Sequence, residues 1–158
     1  MRHSIIIFCI FSIITIEVSP LRGQNGIRDS LIDESILGFF TEYGDFIKEN
    51  DKWVFDIHTL PIDYKPSSCN VWRNVGFVDF SNKKTIKRYK NKKKPIPTVS
   101  LQWRIIQDGT VMFKVFLSYV TIDRKNIKYA FSGMCVYYYK YSDDEKRWKI
   151  YSKMCGGI

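Results

Sequence analysis

A chain of 158 residues that is 45% hydrophobic, 16% aromatic and 26% charged is too rich in core-forming side chains to be disordered, and its pattern excludes a collagen-like fibre or a multi-span membrane protein. One domain of this length buries roughly two-thirds of its unfolded surface, enough to fold without a metal or cofactor. With 25 Lys and Arg against 16 Asp and Glu, the net charge of +9 favours anionic partners.

Met1-Arg2-His3 is a short basic start, and Ser4 to Ile16 is an uncharged run dominated by Ile and Phe that ends at Glu17. Residues 1–23 therefore read as a secretory signal peptide, since a membrane span needs about 20 apolar residues. The mature N-terminus is expected between Pro20 and Gln24, leaving residues 24–158 as one exported domain with no stable membrane anchor.

From Ser30 to Asn50, Ile32, Ile36, Phe39, Phe40, Tyr43, Phe46 and Ile47 recur at intervals of three and four, which predicts an amphipathic helix. Ser30 is the expected N-cap, with Asp33 and Glu34 in the first turn. The stretch from Asp51 to Tyr64 suits a strand through Trp53, Phe55 and Ile57, or a helical turn through Trp53, Ile57 and Leu60, and Pro61 closes either one. Cys69 to Lys90 is mixed, consistent with a short helix or an irregular hairpin.

Lys83, Lys84, Lys87, Arg88, Lys90, Lys92, Lys93 and Lys94 follow one another with no acid among them. In an exported protein such a run meets extracellular polyanions, sulfated glycans or anionic lipid head groups, through salt-dependent attraction. It could equally be a solvated loop. A nucleic-acid-binding basic protein is the alternative should the leader be misread, but nucleic acid is not the expected partner: Tyr89 is the single aromatic within the run.

The second half predicts an antiparallel meander. Val99, Leu101, Trp103 and Ile105 alternate with polar residues, Asp108-Gly109 supplies a hairpin turn, and Val111, Phe113, Val115, Leu117 and Tyr119 alternate onward. After a turn at Asp123 to Asn126 comes a long strand from Ile127 to Tyr141, then a polar turn at Ser142 to Lys146 and a last short strand through Trp148, Ile150 and Ser152. The long strand is apolar on both faces, with Tyr129, Phe131, Cys135, Tyr137 and Tyr139 on one and Ala130, Met134, Val136 and Tyr138 on the other. Three arrangements account for this: a sheet curved around a cavity for a small apolar ligand, a homodimer covering the outer face, or a twisted central strand whose hydroxyls reach solvent. The whole is α+β: an N-terminal amphipathic helix packed on a curved four-stranded antiparallel meander.

Beyond Cys9 of the leader, Cys69, Cys135 and Cys155 remain, and an oxidising route makes one bridge the expectation. Cys135 lies within an apolar strand, where a lone thiol acts as a small hydrophobe. Cys69 and Cys155 lie near element ends, which favours a Cys69–Cys155 disulfide. His58 is the single histidine of the mature chain and there is no CxxC, so zinc-ligand spacing is missing and no metal is expected.

The order of leader, helix (FFTEYGDFIKENDKW), Cys69 after Pro-Ser-Ser, meander and closing RWKIYSKMCGG resembles the nuclear transport factor 2-like superfamily, particularly its secreted nematode-type members. The resemblance spans Leu31 to Gly157 and implies a cone-shaped roll. A cystatin-like inhibitor shares the element order, but its Gln-x-Val-x-Gly loop is missing here. Enzymes of the resembled superfamily, isomerases and dehydratases, place Asp, His or Tyr inside the cone to move protons. Every carboxylate beyond Asp79 falls in a predicted turn, so no catalytic residue is assigned and a secreted, non-catalytic binding or interaction module is favoured over a small-molecule enzyme.

Overall fold

The computed structural model describes residues 25–44, 53–64, 75–90, 92, 94–123 and 126–157. Helix α1 (Asn25–Tyr43) precedes a short strand β1 (Val54–Asp56), a 3-10 turn (Ile57–Thr59), β2 (Gly76–Val78) and helix α2 (Lys83–Tyr89). Four longer strands follow: β3 (Ile96–Ile105), β4 (Val111–Asp123), β5 (Asn126–Ser142) and β6 (Arg147–Gly156). They form one six-stranded sheet in the order β2-β1-β3-β4-β5-β6.

The α+β class and the antiparallel run β3 to β6 agree with the sequence expectation, and Gly109 turns the β3–β4 hairpin at φ 79°. The expected four strands are a correction, because β1 adds alongside β3 and β2 alongside β1, both parallel, making the sheet mixed. Three-residue strands are too short for an alternating pattern to be visible. The predicted start of the helix is also corrected: α1 begins at Asn25, so Ser30 lies within it and caps nothing. Its buried stripe runs through Arg28, Leu31, Ile32, Ser35, Ile36, Phe39 and Tyr43. Arg28 and Ser35 hide that stripe from a hydrophobicity reading. The Arg28 guanidinium is held by Asp29 at 3.0 Å and Asp63 at 2.9 Å. Phe46 and Ile47 lie outside the described residues.

The main core fills the space between α1 and the sheet. Phe39, Phe55, Phe113, Tyr137 and Tyr139 are all at most 1% exposed, and they pack with Val99, Leu101, Val115 and Leu117. Two glycines permit close approach: a Cβ on Gly38 would stand 3.0 Å from the Tyr137 hydroxyl, and one on Gly133 would stand 3.0 Å from the Tyr43 ring. The Tyr43 hydroxyl in turn donates to the Gly156 carbonyl at 2.9 Å, tying the end of α1 to the end of β6.

A second, smaller core holds Val54, Val78, Phe80, Ile96, Val120 and Ile122, with Ile86 and Tyr89 of α2 packed against it. Ile96, Val120 and Ile122 have the opposite parity to Val99 and Leu117, so this cluster lies on the other face of the sheet. The register of β4 on β5 shifts between Leu117 and Ser118, where Leu117 pairs with Gly133 but Ser118 pairs with Phe131. That bulge moves Tyr129 and Phe131 off the Cys135 face, where strict alternation would put them, onto the face of Met134. Phe131 accordingly packs against Phe116 with the rings tilted by 59° and their centroids 5.7 Å apart.

Candidate functional site

Cys155 stands directly across from Cys135 in the β5–β6 ladder, with 4.1 Å between Cα atoms, and the two form a disulfide. This corrects the expected Cys69–Cys155 bridge and the expected free thiol at Cys135. Cross-strand register decides the pairing, and register was not legible from cysteine surroundings. Cys69 lies outside the described residues.

The basic run divides between α2 and the residues after it. Asn82 caps the helix by accepting from the Lys84 amide at 2.9 Å. With Ile86 and Tyr89 turned inward, Lys83, Lys84, Lys87 and Arg88 are left exposed, as are Lys90, Lys92 and Lys94. Among the described residues none of these seven cations enters an ion pair. Lys92 lies over the Tyr89 ring at 4.5 Å. The side chain of Lys93 lies outside the description.

The sheet face under α1, where a cone cavity was one of three expected arrangements, is packed with side chains of the main core. Among its buried hydroxyls, Ser35 donates to the Leu31 carbonyl at 2.8 Å, and the Tyr139 hydroxyl donates to Ser35 at 3.0 Å. Among the described residues, the buried Tyr137 hydroxyl and the buried Trp53 indole N–H find no hydrogen-bond partner. Burial pushes both phenols well above their ordinary value, so they stay protonated at neutral pH and cannot serve as bases.

Among the described residues, open grooves border this core. One, of about 710 Å³, lies between the first turns of α1 and the β5–β6 hairpin, with Ile27, Leu31, Glu34, Tyr141 and Trp148 on its walls. Another, of about 510 Å³, is lined mainly by Ile57, Leu60, Ile62 and Phe77, with His58 and Asp79 at its polar end. Asp79 accepts from the Ser81 amide at 2.8 Å and from the Ser81 hydroxyl at 2.5 Å. Asp56, beneath it in sequence, is buried, which pushes its carboxyl up, although the amides of His58 and Phe80 oppose the shift. Among the described residues, no three His, Cys, Asp or Glu side chains gather as a metal site requires. The grooves were missed in the sequence because each joins segments far apart in the chain. Tyr141 and Trp148 are cross-strand partners in β5 and β6, a pairing the predicted hairpin could have suggested.

Comparison of the chain with protein-family models, with curated proteins and with solved structures gives no match in any of the three.

Proposed function

We propose that this chain is an exported, non-catalytic binding module that holds extracellular polyanions on the outward face of α2. The carrying observation is that Lys83, Lys84, Lys87 and Arg88 are exposed on one short helix and no described carboxylate neutralises them. Such a cluster keeps its field outward, and a flexible chain of sulfates can follow it. Export is supported by the leader-like start, by the Cys135–Cys155 disulfide, and by the finding that no described helix is long and apolar enough to cross a membrane. What supports kinship with the nuclear transport factor 2-like superfamily is the order of a leading helix and a closing antiparallel meander. The small-molecule enzyme of that fold is disfavoured because the tyrosine hydroxyls under α1 are buried in the packed core, out of reach of a substrate.

Retention on immobilised heparin tests the reading. Replacing Lys83, Lys84, Lys87 and Arg88 with Gln should lower the eluting salt concentration far more than replacing Arg104, Lys114, Lys128 and Lys146, which removes the same charge elsewhere. Equal losses would show that net charge governs retention and would overturn the local site. An RNA column that retained the protein more strongly than heparin would favour the nucleic-acid reading.

A homodimer across the outer sheet face is a second reading, favoured by Phe131 at 70% and Met154 at 55% exposure on that face. Sedimentation equilibrium that showed only monomer at high micromolar concentration would remove it.

A further inference from the structure

The groove between α1 and the β5–β6 hairpin carries a different selectivity from α2. Its volume of about 710 Å³ falls in the range of small-molecule sites. Ile27 and Leu31 form one wall, and Tyr141 and Trp148 form the other, their rings edge to face with centroids 5.8 Å apart.

The charged members of the groove are Glu34, Lys146 and Arg147. Arg147 is already committed, through two contacts of 2.8 and 2.7 Å to Glu145. Glu34 is not. Among the described residues it enters neither an ion pair nor a hydrogen bond; its side chain is exposed, and the desolvation it does undergo pushes its carboxyl up. Of the described carboxylates, Asp29, Glu42, Asp63, Asp108 and Glu145 each hold a Lys or Arg, and Asp33, Asp56 and Asp79 accept hydrogen bonds. Glu34 does neither, and what sets it apart is its place in a groove walled by Tyr141 and Trp148.

A neutral hydrocarbon in this groove would strip water from Glu34 and give nothing back, and an anion would be repelled by it. An ammonium group meets both features at once, pairing with the carboxylate while its apolar body lies against aromatic faces that attract cations. We propose that the groove binds a small organic cation, an ammonium on a flat apolar body, with Glu34 as counter-ion and Trp148 and Tyr141 as the wall. The site is independent of the α2 reading. Lys146 opposes such a ligand and limits its affinity.

Calorimetric titration of the full chain with three indoles of one shape tests this: tryptamine, neutral indole-3-ethanol and anionic indole-3-propionate. Tryptamine should bind most tightly and indole-3-propionate least. Glu34→Gln should weaken tryptamine about tenfold and leave indole-3-ethanol nearly unchanged, the size expected for loss of one charge-assisted contact. Lys146→Gln should tighten tryptamine two- to threefold, a gain that a damaged fold would not give. Saturable heat missing up to millimolar tryptamine, tighter binding of the anion, or an unchanged tryptamine affinity in Glu34→Gln would each overturn the proposal.

Discussion

At the β5–β6 end of the sheet, Lys140 lies against Asp108, Arg147 and Lys149 share Glu145, and Lys153 reaches Glu42 of α1. At the α2 end, Lys83, Lys84, Lys87 and Arg88 have no such company. The two ends also differ in what holds them. The first carries the disulfide and the buried Phe39, Phe113, Tyr137 and Tyr139 of α1, β4 and β5, whereas α2 rests on Ile86 and Tyr89, neither of them buried outright. Cations that fold into local pairs cancel their own field, and cations that do not are left to act on a partner. The firmly packed end thus pairs most of its cations locally, Lys146 in the groove beside Glu34 excepted, and the lightly packed end carries the stronger positive field.

Phe113→Ala should sharpen the contrast most. Phe113 is fully buried between Trp103 and Tyr139, and its loss should cost about 3–5 kcal/mol in urea unfolding. Ile86→Ala beneath α2 should cost only about 1 kcal/mol, because the side chain is half-buried. Equal costs would break the division into a strong and a weak end.

Removing the bridge with Cys135→Ala and Cys155→Ala comes next, at about 2–4 kcal/mol for a closed loop with a sequence separation of 20. The loss should be read as a lower urea midpoint. Non-reducing peptide mapping that joined Cys155 to Cys69 would refute the pairing itself.

Asp56 sits where β1 meets the second core, and burial raises its folded pKa above the ordinary carboxylate value. Between the raised folded pKa and the unfolded one, the native state binds more protons than the unfolded chain, so this group adds stability as pH falls through that window and subtracts it above. Asp56→Asn should therefore be more stable than the parent at neutral pH, with the advantage shrinking as acid is added. An advantage that grew in acid would reverse the sign assigned to Asp56. Paired carboxylates such as Glu145, held low chiefly by Lys149, work in the opposite direction, which is why the difference between variant and parent is the quantity to follow.

The smallest effect on stability should come from the four α2 substitutions to Gln, within about 0.5 kcal/mol, since exposed charges contribute little to folding. A loss above about 1 kcal/mol would mean that those side chains pack the helix in place, and the contrast between a structural end and a charged end would fail.

Local pattern was enough for the order of the four antiparallel strands, although β3 begins at Ile96 and β6 runs on through Cys155 to Gly156, for the turn at Asp108-Gly109 and for the clustering of cations between Lys83 and Lys94. Each of these depends on residues a few positions apart, through the alternation of side chains along a strand or the conformational freedom of glycine. The start of α1 escaped because the first residue of its buried stripe is Arg28, whose guanidinium is held by Asp29 beside it and by Asp63 from a distant segment. Tertiary register decided the rest. The shift at Leu117 and Ser118 reassigned Phe131 to the outer face, the facing of β5 and β6 chose Cys135 for Cys155, and α1 placed Glu34 with Trp148 in one groove. Pairings of this kind are properties of how separate segments align, and a single residue's slip changes every contact, so no stretch of sequence read on its own carries them.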